Sequence, residues 1–264
     1  ENIEIVKLLL NKENINVNFL NKYENEKYEK YENNQIKRKA HNGLKTALFL
    51  AIEKENVEIV KLIISNELLD VNIHSVYNDF IFLEDQILGG ETMEYNYEGN
   101  KTALFAAIEK ENIEIAKLLL NYDKLDINDI NQISGHNGNY SKKEHKTALF
   151  QAIENQNVEI IKLLLMNDKL DINLTIEINL KEDNDTIIEM APLQFAIENN
   201  RHDEVIQLLL SQEYLNSSQK IDVNKRSIIA IIGDEIEVIE KTSLFMSIEK
   251  KKIDAIKALL NRAD

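Results

Sequence analysis

Residues able to do chemistry are few in this chain and poorly spaced for it. There are five histidines and no cysteine, which removes disulfides and thiolate metal sites. His41, His74, His136 and His145 fall between the regular segments and His202 at a turn. None belongs to a His-x-x-x-His or Glu-His pair at metal-ligand spacing on a helix. Gly89-Gly90 and Gly135-His136-Asn137-Gly138 are not followed by Lys-Ser/Thr, so they read as turns rather than phosphate loops. Carboxylates recur in register instead: Glu53, Glu109, Glu154, Glu198 and Glu249 form one row, and Glu58, Glu114, Glu159 and Asp254 another. Acid–base catalysis needs two carboxyls in unlike environments within a closed cleft. A carboxylate repeated in every copy of a pattern describes a solvated row, paired as Glu58 can be with Lys61. Glu53, Glu109 and Glu154 are then candidates for contact with a basic partner. The expectation is a chain that is not an enzyme and needs no cofactor or metal.

The formal net charge of −15 points the same way, because an acidic field repels phosphate backbones and anionic membranes. A protein with a basic face is the favoured partner, and nucleic acid is not. No apolar run approaches the roughly 18–20 residues that span a bilayer. No basic-then-apolar leader opens the chain. With no cysteine, these features fit a cytoplasmic protein, cytoskeleton-associated ones included. Only seven glycines and one proline leave long stretches free to form helices.

What must position any binding residue is an internal repeat. Residues 45–64 read KTALFLAIEKENVEIVKLII, 101–120 read KTALFAAIEKENIEIAKLLL, and 146–165 read KTALFQAIENQNVEIIKLLL. Weaker copies stand at 191–210 and 241–260, and the chain opens on the second half of a copy. Each copy divides into two short amphipathic helices. Thr46 can cap the first, with Leu48, Phe49, Ala51 and Ile52 on its apolar stripe; Asn56 can cap the second, which carries Ile59, Leu62 and Ile63. In the fourth copy His202 or Asp203 takes the capping place. A short tag follows each second helix: Asn16-Val17-Asn18, Asp70-Val71-Asn72, Asp126-Ile127-Asn128, Asp171-Ile172-Asn173 and Asp222-Val223-Asn224.

Helix, turn, helix and tag together resemble the ankyrin repeat, whose Thr-Pro-Leu-His-x-Ala pattern lies on Thr46-Ala47-Leu48-Phe49-Leu50-Ala51 and its equivalents. Phe49, Phe105, Phe150 and Phe245 replace the family histidine, so its hydrogen bond to the threonine is lost and apolar packing takes over. Glu55, Glu111 and Gln156 stand where the family has an interhelix glycine. Asn66 and Asn167 can adopt the left-handed conformation where the family ends its second helix with glycine. The resemblance implies an all-α solenoid with elongated inter-repeat loops or β-hairpins. It also implies one ankyrin domain over 1–264, with helix pairs near 45–66, 101–121, 146–167, 191–211 and 241–261 and a half repeat at 1–11. Ile5, Leu8 and Leu9 have no first helix to cover them, which reads as part of a longer array or a surface met by another subunit.

Family units recur about every 33 residues, whereas these copies begin 44 to 56 residues apart. The excess lies between tag and next helix pair, where a solenoid projects its insertions from one side. Alternation over 175–190 and 228–239 predicts elongated β-hairpins, and 75–99 a third, less regular one. The charged segment 21–40 reads as mobile or helical. All nine tyrosines lie outside the helix pairs. Tyrosine supplies contact area at low rotamer cost. Tyr23, Tyr28, Tyr31, Tyr77, Tyr95, Tyr97 and Tyr140, joined by Phe80 and Phe82, are therefore the candidate partner-binding edge. The implied function is a protein–protein interaction scaffold that binds through its concave helix face and inter-repeat fingers. The alternative is a structural subunit built into a large cytoskeletal or membrane-associated assembly.

Overall fold

The computed structural model describes residues 3–12, 14–30, 36–85, 90–137, 140–181, 185–199, 201–211, 213–215, 219–233 and 235–261. Among these residues five helix pairs follow an opening helix, α1 (Ile3–Leu10). The pairs are α2/α3 (Ala47–Glu53, Val57–Ile64), α4/α5 (Ala103–Glu109, Ile113–Leu120) and α6/α7 (Ala148–Asn155, Val158–Leu165), then α8/α9 (Pro192–Glu198, Asp203–Leu210) and α10/α11 (Ser243–Glu249, Ile253–Leu260). First helices pack on first helices and second on second along the stack. The caps are local chemistry. Thr46, Thr102 and Thr242 accept the backbone N–H three residues on, and Asn56, Asn112 and Asn157 do the same for the second helices. In the fourth pair His202 holds the cap position but its side chain makes no cap bond.

Each helix pair is too short to bury its own apolar stripes, so they close on the neighbouring pairs. Ile52, Ile108, Ile153 and Ile197 from first helices and Val60, Leu119, Leu164 and Leu209 from second ones are almost wholly excluded from water. Burying each is worth roughly 1.5–3 kcal/mol. Phe105 and Phe150 are fully buried where the family has histidine, and Phe150 meets Phe195 edge-on at 5.2 Å. The interhelix residues Glu55, Glu111 and Gln156, and Lys251 in the last pair, have φ of 53°, 56°, 57° and 56°. A residue with a Cβ is disfavoured there by about 1–2 kcal/mol. The chain makes its left-handed turn at the place of the missing glycine. Asn66 and Asn167, expected to be left-handed where the family ends its second helix with glycine, do not have positive φ and instead close turns by accepting the N–H of Leu68 and Lys169.

The all-α expectation is overturned. Among the described residues ten strands form one antiparallel sheet in chain order: β1 (Asn21–Lys30), β2 (Ile36–Lys45), β3 (Ser75–Asp85), β4 (Gly90–Lys101), β5 (Asn131–Asn137), β6 (Tyr140–Lys146), β7 (Ile176–Lys181), β8 (Asp185–Met190), β9 (Arg226–Ile232) and β10 (Ile236–Thr242). The expected hairpins at 175–190, 228–239 and 75–99 are not separate fingers; each pairs with the hairpins beside it. The segment 21–40, expected to be mobile or helical, supplies β1 and the start of β2. Gly135, read as part of a turn, sits inside β5 opposite Tyr97. The turn residues expected at 182–184, 234 and 138 lie outside the described residues. The physical reason is pitch. Packed helices stand about 8–10 Å apart, and two strands occupy about 9.5 Å, so hairpins carried at the helix spacing meet edge to edge.

The tags lock that pitch. In each, the Asp or Asn side chain closes a turn onto the third residue's N–H, as Asp126 does for Asn128, and Val17, Val71, Ile127 and Ile172 are buried. The final asparagine reaches the next unit with both ends of its amide. Asn128 donates to the Lys169 carbonyl at 2.8 Å and accepts the Asp171 N–H at 2.8 Å; Asn18, Asn72 and Asn173 repeat the clasp. A further tie runs through His74, whose Nδ1 lies 2.8 Å from Asn100 Oδ1 and Nε2 2.9 Å from Asp129 Oδ2. Asn100 Oδ1 also accepts the Gln132 N–H, so it faces His74 as an acceptor. Both ring nitrogens therefore face acceptors, an arrangement that favours the imidazolium. The Asp129 bond, aided by Asn100 and opposed by burial, raises its pKa above 6.5.

Two outcomes follow for stability. Asn128→Ala removes two inter-unit bonds and should cost about 1–3 kcal/mol in urea unfolding, whereas Asn25→Ala should cost little. Because the folded pKa of His74 is raised, its stabilisation is fully present below pH 6.5 and is lost as pH rises through the folded value. The stability difference between wild type and His74→Gln should therefore shrink from mildly acidic to alkaline pH. A difference that stays constant would contradict the imidazolium tie.

Candidate functional site

Strand alternation sorts the candidate residues onto two faces of the sheet. Lys45, at the end of β2, and Lys101, at the end of β4, turn toward the first helices, so residues level with them form the inner face. Tyr23, Tyr77, Tyr95, Tyr97 and Tyr140 lie there by register. Phe80 and Phe82 lie on the outer face, stacked at 6.0 Å, with the Arg38 guanidinium 4.3 Å from the Phe82 ring. The single edge expected from the sequence is thus divided. Tyr28 is in the outer strand β1, but its side chain and all of Tyr31 fall outside the described residues.

Between the inner face and the first helices lies a cleft of about 320 Å³. Tyr23 and Tyr77 line it together with Glu53, Glu109, His41 and Asp79, so tyrosines and row carboxylates from two adjacent units converge. Each carboxylate is already held. Lys45 Nζ is 2.6 Å from Glu53, Lys101 2.7 Å from Glu109, Lys146 2.8 Å from Glu154, and Lys241 2.8 Å from Glu249. These lysines were missed, although the signal was present: a lysine precedes Glu53, Glu109, Glu154 and Glu249 by eight residues, on a strand rather than within the helix. In the second-helix row Glu58 is not the partner of Lys61, which reaches Glu114 of the next unit at 2.7 Å, as Lys117 reaches Glu159 at 2.9 Å.

Two of the strand-end lysines also serve tyrosines. Lys45 Nζ stands 3.8 Å from the centre of the Tyr23 ring, and Lys101 Nζ 4.4 Å from that of Tyr77. Burial, with Asp79 and Glu53 nearby, pushes the Tyr23 phenol up to about 12. Burial, then Glu109, raises Tyr77 as well. Both stay neutral donors at any physiological pH. His41 Nδ1 meets Asp79 at 2.9 Å across the β2–β3 pair.

Glycines make room for these rings. Tyr23 is paired with Gly43, Tyr77 with Gly99 and Tyr97 with Gly135. A Cβ on Gly43 would lie 2.9 Å from the Tyr23 ring and collide with the Val76 carbonyl oxygen; one on Gly99 would lie 2.9 Å from the Tyr77 hydroxyl and collide with the Gln132 carbonyl oxygen. Tyrosine laid over a cross-strand glycine covers backbone that would otherwise be bare. The repeated Tyr–Gly pairing, invisible without the strand register, is what turns scattered tyrosines into a row.

Further along, a cavity of about 370 Å³ is lined by Tyr95, Tyr97, Tyr140, Ile133, Lys142 and Glu144 among others. Tyr95 and Tyr97 are nearly parallel, 6.2 Å apart. Among the described residues no group of His, Asp and Glu could hold a metal ion, and no helix is long and apolar enough to cross a membrane.

Residues 1–131 and 76–176 match a family model described as ankyrin repeats in three copies. Among curated proteins no sequence matches the chain.

Proposed function

The chain belongs to the ankyrin-repeat family, and from that premise we propose that it is a non-catalytic scaffold gripping one protein partner along its inner face. Ankyrin repeats mark a protein–protein interaction module; the grip surface and the scaffold role are read from this chain. The observation that carries the reading is the convergence of tyrosines with paired lysines and glutamates from consecutive units around one cleft. Rigid aromatic area flanked by charge is what anchors a partner at the centre of an interface. Strands and first helices hold these side chains in fixed rotamers, so little ordering entropy opposes docking. The net charge of −15 steers a partner with a basic face toward this surface. The row glutamates act with their lysines as polar rim rather than as bare negative charge. The whole of 1–264 serves as one domain in this reading.

A second reading is a subunit built into a large assembly, with exposed apolar side chains away from the chain ends, among them Leu68 and Met166, available as contacts. High-salt extraction separates the two, since a docked partner elutes and a built-in subunit does not.

Affinity capture with quantitative mass spectrometry tests the first reading. Tyr77→Ala combined with Glu109→Gln should reduce recovery of the specific partner at least tenfold, on the scale of a hot-spot loss. Phe80→Ala on the outer face should leave recovery within about twofold. Equal losses from both faces would contradict an inner-face grip.

A further inference from the structure

The tyrosines of the inner face fall into two sets. At the strand bases, Tyr23 and Tyr77 each carry a lysine ammonium over the ring, delivered by the residue that precedes the threonine cap and held by a helix glutamate. Farther from the helices, Tyr95, Tyr97 and Tyr140 surround the cavity between β4, β5 and β6, beyond the reach of those lysines. Among the described residues no lysine or arginine stands over these three rings. Tyr97 and Tyr140 are well exposed. Gly135, which has no side chain, lets the Tyr97 ring lie close over β5, and Glu144, nearly buried, lies at the edge with Lys142 at 2.9 Å and Lys146 at 3.3 Å.

We infer that this three-tyrosine cavity is the seat for one basic side chain of the docked partner, an ammonium or guanidinium held against the ring faces. The inference rests on the inner-face reading of function and gives it a specificity site. The chemistry is that of the strand bases with the internal lysine replaced by a guest. An aromatic ring attracts a cation through its quadrupole, and several rings around one cavity do so cooperatively as water is removed. Glu144 is balanced by its own lysines, so selectivity for a cation comes from the rings, while the acidic chain as a whole brings the basic partner near. The mostly apolar lining also suits the methylene stem of lysine or arginine.

The test uses the full chain with carbon-13-labelled tyrosine and two probes of similar size, tetramethylammonium chloride and neutral neopentyl alcohol, at constant ionic strength set with sodium chloride. Tetramethylammonium should shift the ring resonances of Tyr95, Tyr97 and Tyr140 saturably, and the alcohol at least fivefold more weakly. Tyr97→Leu should weaken the ammonium about two- to fivefold. Tyr97→Phe keeps the ring face and should leave binding nearly unchanged, which separates loss of the quadrupole from loss of the fold. Tyr214→Leu, whose ring already carries Lys162, should have no effect. Equal binding of the two probes, or an ammonium affinity indifferent to Tyr97→Leu, would overturn the seat. If the seat fails while the Tyr77/Glu109 variant still loses its partner, only the seat is wrong. If the probe binds while that variant retains its partner, the inner-face reading fails and the seat stands.

Discussion

A helix pair of this length cannot bury its apolar stripes alone, so every unit exists only against its neighbours. That requirement sets a fixed distance from one unit to the next, and the rest of the molecule is spaced by it. Ile52, Ile108, Ile153 and Ile197 occupy the same place in successive units and are all but inaccessible to water. The asparagine clasp fixes the same step a second time, through backbone groups that would otherwise bond to water. A hairpin carried by each unit then has nowhere to go except beside the next hairpin. The ten-stranded sheet is the consequence of helix packing rather than a separate design.

This spacing also makes a binding face from residues that are far apart in sequence. Tyr23 and Tyr77 belong to different units, yet the shared step brings them to one cleft with Glu53 and Glu109. Lys45 and Lys101, at the ends of their strands, do double duty, each neutralising a helix carboxylate and capping a ring with positive charge. Internal pairing of this kind adds little stability at a partly exposed site. Its effect is to hold long side chains in place and keep the surface polar but not sticky. The outer face differs in chemistry: Phe80, Phe82 and Arg38 pack on one another there, on the side away from the first helices.

Much of the helical stack was legible in the residues because its signals are local. Thr46 and Asn56 cap the helices they were expected to cap, and the stripe of Leu48, Phe49, Ala51 and Ile52 is buried. The sheet was only half legible. Strands such as β1, NKYENEKYEK, carry charge on both faces and lack the apolar alternation by which a strand is recognised. Their strand state comes from an adjoining edge, a long-range fact. Once β3 is a strand, the odd offset between Tyr77 and Phe80 already separates their faces, so granting the strand would have divided the candidate edge correctly. The left-handed Glu55 and Glu111 were hidden for the opposite reason. Residue preference argues against that conformation, and tertiary packing overrides it.

The shared step is tested most directly by amide hydrogen exchange across a junction between two hairpins. Residues 96–99 of β4 and 133–136 of β5 pair only if neighbouring hairpins stand one strand apart. Ladder amides in these two segments should be protected to a degree comparable with those inside hairpin β3–β4, and Asn128→Ala should lower that protection together with the stability of the adjoining helices. Exchange at the rate of free chain in these segments, with the hairpin interiors still protected, would mean independent fingers on a helical stack and would contradict the common pitch.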